Sequence, residues 1–329
     1  LMVEQCRTAP GEFATRTFTV HVRDSVIREP GIAGGTPVRL KPREHAFLHW
    51  DNKLTLEFSN ELPKLCALEI GPAGAIPTVF LAGNSTVVDQ AEEPWAAWGQ
   101  MIPAFFRPRE IAVANYAESG ETLKAFVGEG RLTKVWSMAK KGDYLFIEFA
   151  HNDQKPGGNH LDPFTSYSEE LKWYIGEARK RGMIPVLVTS MHRRSFDSTG
   201  HIINTLGDYP AAMRQVARET GVGLIDLNAM SKELYEGWGP VGSKRAFVHY
   251  PAGTFPGQEK ELKDDTHFNS YGAYELAKCV VQGIRDSIPA LARYLVAGLP
   301  VFEPRHPDPA ERFALPASPV MNAKKPDGN

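Results

Sequence analysis

Several common functional signals are missing from this sequence of 329 residues. It has no glycine-rich phosphate loop, no HExxH zinc motif, no CxxC pair and no GxSxG nucleophile elbow. Its three cysteines, Cys6, Cys66 and Cys279, are too widely spaced for a zinc motif or a disulfide framework. No apolar run approaches the roughly 20 residues of a membrane helix. The formal net charge is only −2 and no block of like charge occurs. We therefore predict no metal, no cofactor, and no nucleic-acid or membrane partner; the oligomeric state stays open.

From Pro77 onward the sequence alternates between short apolar runs and amphipathic stretches. The runs predict five strands: Thr78–Ala82, Ile111–Ala114, Tyr144–Phe149, Ile184–Ser190 and Gly223–Leu227. The amphipathic stretches predict helices at Trp95–Phe105, Arg131–Lys140, Ser168–Arg181, Tyr209–Thr220 and Tyr271–Asp286. Strands that alternate with helices indicate an α/β fold with a parallel sheet, and continuous apolar strands indicate that helices cover both of its faces.

The segment before Pro77 has a different pattern. Apolar and polar residues alternate in Thr17–Arg23, Ala46–Trp50 and Lys53–Ser59, with a hairpin turn expected at Asp51-Asn52. We predict three parts: a small antiparallel β-rich, sandwich-like domain at 13–76, a main α/β domain at 77–299, and a proline-rich strap at 300–329. Gly237–Lys263 is expected to be a surface insertion. His45 and His49 would form a metal pair only on a helix, and this segment is predicted to be a strand.

Polar residues follow the first three strands of the predicted sheet. Ser85 comes just after the break at Gly83, Asn115–Gly120 follows the second strand, and His151-Asn152-Asp153 follows the third. The carboxyl ends of parallel strands meet at one crevice, so these loops are expected to converge. Asp264 and His267 stand three residues apart on a predicted turn before the last helix. That spacing allows the carboxylate to bind one ring nitrogen while the other acts as a base.

These residues supply what acyl transfer requires. Ser85 is the candidate nucleophile, His267 the base and Asp264 the group that orients the base. The backbone N–H groups of Ser85 and Gly120 and the side-chain amide of Asn152 are candidate donors to the oxyanion. Asp265 is an alternative to Asp264.

The four blocks, in this order, resemble the SGNH (GDSL-like) hydrolases, and most of all the rhamnogalacturonan acetylesterase group, carbohydrate esterase family twelve. The resemblance covers about Thr78–Asp286. It implies a flavodoxin-like three-layer α/β/α fold and removal of acetyl groups from pectic polysaccharide. It also implies a Ser-His-Asp triad and a Ser, Gly, Asn oxyanion hole, which fall on Ser85, His267, Asp264, Gly120 and Asn152. The resemblance makes 77–299 the expected catalytic domain and 13–76 a candidate carbohydrate-binding domain. A polymer substrate implies export to the periplasm or the medium, although no signal peptide is present in this sequence.

Two positions depart from the family pattern. Asn84 stands where the family usually has aspartate, and Ala150 stands where it usually has glycine. We expect Asn84 to change the pH dependence rather than to abolish activity.

Other residues bear on the substrate. His192, Arg193 and Arg194 follow the fourth strand and either bind a substrate carboxylate or form a solvated turn. Trp95 and Trp98 offer a face for sugar stacking, but their helical spacing favours core packing. The leading hypothesis is a serine esterase that deacetylates pectic rhamnogalacturonan-like polysaccharide or xylan. The alternatives are an SGNH esterase, lipase or thioesterase on other short-chain acyl esters, or a catalytically decayed carbohydrate-binding protein.

Overall fold

A computed structural model of the protein describes residues 6, 8–28, 31, 34–59, 64–315, 318, 321 and 324–326. Its strands are β1 Val26–Ile27, β2 Thr36–Pro37, β3 Thr78–Gly83, β4 Ala112–Asn115, β5 Tyr144–Glu148, β6 Ile184–Val188, β7 Gly223–Ile225, β8 Phe247–Tyr250 and β9 Leu262–Phe268. Its α-helices are α1 Trp98–Met101, α2 Leu123–Gly128, α3 Arg131–Met138, α4 Ser168–Lys180, α5 Tyr209–Thr220, α6 Leu227–Gly242, α7 Ser270–Ser287 and α8 Pro289–Ala292. None of the helices in these ranges combines the length and the apolar character that a bilayer crossing requires.

The central sheet contains β3 to β7, all parallel, in the order β4-β3-β5-β6-β7. This is the strand order of flavodoxin-like folds, in which the chain reverses direction across the sheet at its first strand. The expected α/β fold is confirmed. The reversal places the loops after β3, β4 and β5 side by side at one rim.

Both faces of the sheet are covered. Along β3, Val79 and Leu81 point into one core, whereas Phe80 and Ala82 point into the other, and all four are buried. Because successive side chains of a strand point to opposite faces, a strand buried on both sides must be apolar throughout. The first core lies beneath α1 and α7 and the second beneath α2 to α5.

The region between β7 and α7 differs from its prediction. Of the residues expected to form a surface insertion, 237–242 end α6, and 247–250 and 262–263 belong to the β8–β9 hairpin, while 251–261 form a mostly exposed loop between its strands. Glycine and proline usually interrupt helices, so Gly239 and Pro240 argued against a helix in this stretch. In the structure α6 continues across a kink at Gly239. The hairpin has a bulge between Phe247 and Val248. As a result Asp264 and His267 lie on β9, not on a free turn.

The segment before β3 contains less β-structure than its alternation predicts. Among the described residues of this segment, the expected antiparallel pairing is limited to β1 with β2 and the single bridge of Asp24 with Asp51. Thr17–Arg23, Ala46–Trp50 and Lys53–Ser59 are not strands, and Asp51 pairs with Asp24 through a single bridge rather than forming a hairpin turn. His45 lies in a short 3-10 helix at Pro42–Ala46.

The predicted strands of this segment do not form because its apolar side chains are not buried between two sheets. Phe18, Val20 and Val22 remain 41–45% exposed, so no second sheet covers them. The segment instead packs Ile27 and Trp50 into the second core of the main domain. A strand without a paired neighbour leaves its backbone groups unbonded, which explains why these runs stay irregular.

The chain after Pro300 follows α7. Lys278 on that helix pairs with the Asp308 carboxylate at 2.7 Å, and the Tyr271 hydroxyl donates to the Asp308 carbonyl at 2.6 Å. The ring of Phe313 packs against the ring of Tyr274. The described part of the strap is therefore held to the surface by specific contacts.

Candidate active site

The candidate nucleophile lies on a tight turn after β3. Gly83 is required there because a β-carbon would lie 2.6 Å from the Val87 side chain. The Asn84 side-chain oxygen accepts from the Thr86 backbone N–H at 3.1 Å and from the Thr86 hydroxyl at 2.9 Å. This side-chain-to-backbone turn fixes Ser85 between the two residues. Asn84 thus provides the acceptor that the usual aspartate would provide.

The structure brings Ser85, His267 and Asp264 together. His267 Nε2 lies 2.9 Å from Ser85 Oγ, and His267 Nδ1 lies 2.8 Å from Asp264 Oδ2. All three residues are at most 2% exposed. Asp264 Oδ1 accepts the backbone N–H groups of Thr266 and His267. With Asp264 binding Nδ1–H, Nε2 is left as the acceptor that faces the serine hydroxyl.

The charge of Asp264 is stabilised inside the protein. Burial acts to raise its pKa, but the hydrogen bond and charge of His267 and the two backbone N–H donors outweigh burial and lower the pKa to about 2. The carboxylate is therefore ionised at neutral pH and suits an imidazole that becomes charged during a reaction.

Three amide groups are the candidate donors to an oxyanion. Within the described part of the chain, the backbone N–H groups of Ser85 and Gly120 have no hydrogen-bond acceptor. Gly120 has φ +80°, a conformation that favours glycine. Asn152 Nδ2 uses one hydrogen to bind the Glu121 carbonyl at 3.0 Å, which leaves the other available. A pocket of about 240 Å³ lies beside Gly120 and Asn152 and is also lined by Lys155 and His160.

A buried carboxyl group supports the nucleophile turn from below. Glu148 ends β5 and accepts from the Ser190 hydroxyl at 2.7 Å, the Thr86 hydroxyl at 3.2 Å and the Trp98 indole at 3.2 Å. Burial raises its pKa to about 7, although these three donors act in the opposite direction. Trp98 is fully buried, as its helical spacing predicted, and Trp95 packs edge-on against His267.

Glu148 gives a pH-dependent stability that can be measured against Glu148→Gln. The native state keeps the Glu148 proton up to about pH 7, whereas the unfolded chain releases it near 4.5. Wild type should therefore lose about 3 kcal/mol of unfolding free energy relative to the variant as pH rises from 4.5 to 8. Urea unfolding of both proteins at several pH values measures the difference. A difference that does not change with pH would show that the pKa of Glu148 is the same in the native and unfolded states.

The three predicted substrate residues lie in different environments. His192 is 6% exposed, its backbone N–H binds Ser231 Oγ of α6, and burial lowers its pKa to about 4. Arg194 is held at all three guanidinium nitrogens, by Asp265, Ser243 and the Pro240 carbonyl. Arg194 therefore has a protein partner at each guanidinium nitrogen, whereas His192 Nδ1 has none among the described residues. A substrate-binding role for either residue stays a prediction.

Arg193 is closer to the candidate site. It donates to the His151 carbonyl at 3.3 Å, and its charge acts on Asp264 and Lys155. The C-terminal residues also reach this region, because Lys325 Nζ lies 3.5 Å from Asp264 Oδ2 and Pro326 is buried. In the described ranges, no group of three or more His, Cys, Asp or Glu side chains is arranged to hold a metal ion.

A parallel sheet of this order, with serine, imidazole and carboxylate gathered at its carboxyl rim, defines the SGNH class of ester hydrolases. The sequence profile of the GDSL-like Lipase/Acylhydrolase family matches residues 81–273 of this chain. The chain belongs to that family and is a carboxylic ester hydrolase.

Similar proteins agree with this assignment. The chain is 43% identical over 221 residues to the rhamnogalacturonan acetylesterase RhgT of Bacillus subtilis, which covers 67% of this chain and 94% of that protein. It is 30% identical over 241 residues to the rhamnogalacturonan acetylesterase of Emericella nidulans, covering 67% of this chain and 89% of that protein. The crystal structure of the YxiM protein of Bacillus subtilis superposes with a TM-score of 0.56 at 26% identity. That superposition covers 64% of this chain and 57% of YxiM, little more than half of it.

Sequence reasoning missed three residues of this region. Lys155 donates to Asn152 Oδ1 at 2.9 Å, Lys41 donates to the Ser119 carbonyl at 2.6 Å, and Glu148 lies under the nucleophile turn. Lys155 follows Asn152 by three residues, a spacing that offered a signal. Nothing in the sequence links Lys41 to the loop of Ser119.

Proposed function

We propose that this protein is a serine esterase that removes acetyl groups from plant cell-wall polysaccharide or oligosaccharide. The observation that carries the proposal is the continuous hydrogen-bonded line from Ser85 through His267 to Asp264, with distances of 2.9 and 2.8 Å. The similarity to proteins named rhamnogalacturonan acetylesterases favours a pectic, rhamnogalacturonan-like substrate, with xylan as the next candidate.

In the first half of the reaction, Ser85 Oγ attacks the acetyl carbonyl carbon while His267 Nε2 takes the hydroxyl proton. The carbonyl oxygen becomes an oxyanion, which accepts hydrogen bonds from the N–H groups of Ser85, Gly120 and Asn152. When this intermediate collapses, the bond to the sugar oxygen breaks. The imidazolium returns its proton to that oxygen, so the sugar leaves as an alcohol and the acetyl group stays on Ser85.

In the second half, a water molecule replaces the sugar. His267 takes one proton from the water as its oxygen attacks the acetyl-serine carbonyl. The same three N–H donors stabilise the second oxyanion. Collapse breaks the bond to Ser85 Oγ, which regains the proton from His267. The acetyl group leaves as acetic acid, which ionises to acetate by giving its remaining proton to solvent. Asp264 stays ionised throughout and stabilises the imidazolium.

Arg193 is our candidate for recognition of a galacturonate carboxylate. Its guanidinium is half-buried beside the catalytic His-Asp pair and is held by His151 and Thr205. A fixed guanidinium suits a planar carboxylate. The division of the chain at residues 76 and 299, the carbohydrate-binding role of residues 13–76 and export from the cell stay predictions.

Acetate release from a panel of substrates tests the proposal. We expect acetate from acetylated pectic rhamnogalacturonan or acetylated xylan, and the highest kcat/KM among p-nitrophenyl esters for the acetate. An optimum beyond about four acyl carbons would instead indicate a lipase or thioesterase, because each methylene that fits a pocket adds specificity. Carbohydrate binding without turnover, and without labelling of Ser85 by a fluorophosphonate, would indicate a decayed binding protein.

A further inference from the structure

Two amide groups beside the candidate nucleophile share one feature, a lysine ammonium bound to the carbonyl oxygen. Lys41 Nζ donates to the Ser119 carbonyl at 2.6 Å. Lys155 Nζ donates to Asn152 Oδ1 at 2.9 Å. The Ser119 carbonyl and the Gly120 N–H belong to the same peptide group. Three amides are candidate oxyanion donors, those of Ser85, Gly120 and Asn152. The two lysines therefore bind the last two of them.

The lysines fix the direction in which each amide donates. A trans peptide group is planar, with its oxygen and its N–H on opposite sides. Because Lys41 holds the Ser119 oxygen on one side, the Gly120 N–H must point to the other. Lysine is only a donor, so the Asn152 atom that faces Lys155 is the oxygen. The Glu121 carbonyl then accepts one Nδ2 hydrogen of Asn152, and the second hydrogen is available to an oxyanion.

The lysines also strengthen the donors. A cation on an amide oxygen draws electron density from the nitrogen, and hydrogen bonds that run through one amide reinforce each other. Hydrogen bonds that involve a charged partner are roughly twice as strong as neutral ones. A stronger donor matters most when its acceptor carries a full negative charge. That charge exists in the transition state and not in the bound ester, so the gain should appear in kcat.

Lys41 is held in place by buried charges. Its ammonium lies 2.5 Å from the fully buried Glu121 carboxylate, and its own backbone N–H donates to Glu44 at 2.7 Å. Glu44 in turn binds the fully buried Arg131. Arg43 forms an ion pair with Glu118 in the loop that carries Gly120. Although Lys41 lies outside the family-matched residues 81–273, it is a fixed part of this rim.

We propose that Lys41 and Lys155 are positioning residues that orient and polarise the Gly120 and Asn152 amides toward the oxyanion. This inference rests on the proposed function, since it takes both amides as oxyanion donors. It gives the segment before β3 a direct part in the chemistry of the site.

Kinetics with p-nitrophenyl acetate test the proposal, because this substrate has no sugar and no carboxylate. Lys41→Met and Lys155→Met should each lower kcat about tenfold, less than the loss from removing a donor outright, and change KM by less than about twofold. Lys41→Arg, which keeps the charge, should retain more activity than Lys41→Met. The matched controls are Arg39→Met and Arg179→Met. These residues bind the carbonyls of Gly128 and Thr220, and both variants should keep wild-type kcat.

A double-mutant cycle separates positioning from any other role of Lys155. Asn152→Ala should lower kcat roughly a hundred- to a thousandfold. If Lys155 acts through Asn152, adding Lys155→Met to Asn152→Ala should cause no further loss. Independent losses that multiply would overturn the proposal for Lys155. So would a rise in KM on acetylated pectin with an unchanged kcat on p-nitrophenyl acetate, because Lys155 would then bind substrate.

Lys41→Met leaves the buried Glu121 carboxylate without its nearest cation and can destabilise the fold. The double variant Lys41→Met/Glu121→Gln, compared with Glu121→Gln alone, removes the lysine without leaving that charge unpaired. An unchanged kcat in this comparison, with both proteins folded by thermal unfolding, would overturn the proposal for Lys41. If Asn152→Ala itself keeps wild-type kcat, the oxyanion assignment in the proposed function fails instead.

Discussion

Ser85→Ala is expected to lower kcat by at least about a thousandfold and by as much as about a millionfold. The hydroxyl is the only atom lost, and it is the atom bound to His267 Nε2 at 2.9 Å. The tight turn is built from Asn84 and Thr86 and does not use the serine side chain, so the fold should persist. Hydrolysis of p-nitrophenyl acetate and acetate release from polysaccharide both measure the loss.

A matched control is available on the protein surface. Ser198 is exposed and lies on a turn, and Ser198→Ala should keep wild-type kcat. Thermal unfolding of both variants should give melting temperatures close to that of wild type. A fluorophosphonate should label wild type and Ser198→Ala but not Ser85→Ala. Equal activity of Ser85→Ala and wild type would remove Ser85 from the reaction and leave the proposed mechanism without its nucleophile.

Asp264→Asn is expected to lower kcat about ten-thousandfold while the fold stays intact. Asp264 Oδ1 accepts two backbone N–H groups, so the asparagine oxygen should keep that position. The asparagine NH₂ would then replace Oδ2 and face His267 Nδ1. Because an NH₂ group donates, Nδ1 would have to accept, and the ring proton would move to Nε2. His267 in that tautomer cannot take the proton of Ser85.

Asp265→Asn is the natural comparison, because Asp265 was the alternative in the sequence. Its carboxylate is half exposed and binds Arg194 and His249, not His267. We expect Asp265→Asn to stay within about threefold of wild-type kcat, as for a surface ion pair of small energetic weight. Measuring kcat for both variants at neutral pH decides between the two residues. A large loss in Asp265→Asn with none in Asp264→Asn would reverse the assignment.

Much of this site could be predicted from the sequence, because the topology of a parallel sheet determines which loops lie close together. In a parallel sheet, residues just beyond neighbouring strands must meet, so Ser85, Gly120 and Asn152 could be grouped without knowing their distances. The spacing of Asp264 and His267 predicted the base and the carboxylate that orients it, although the hairpin that holds the pair was not predicted. Its strands are short, and glycine and proline in the same stretch indicated a loop.

The contacts of long charged side chains could not be anticipated in the same way. Arg193 and Arg194 look equivalent in the sequence, yet Arg194 is bound by Asp265, the Ser243 hydroxyl and the Pro240 carbonyl. Lys41 and Ser119 are 78 positions apart, and no pattern links them. A flexible chain with several rotatable bonds can reach many partners, so its partner is decided by packing and not by periodicity.

The pairing of Arg131 with Glu44 sets a limit on how this protein can be divided. A chain shortened to begin at residue 77 would keep every amino acid of the family-matched region, yet Arg131 would lose its ion pair with Glu44, and Glu121 would lose its contact with Lys41. Among the described residues, Arg131 would keep only Glu129 and Glu121 as ionic partners, and removing one partner from a buried ion pair is strongly destabilising. The region delimited by similarity is therefore smaller than the unit in which these buried charges are paired, and Lys41 and Glu44 belong to that unit.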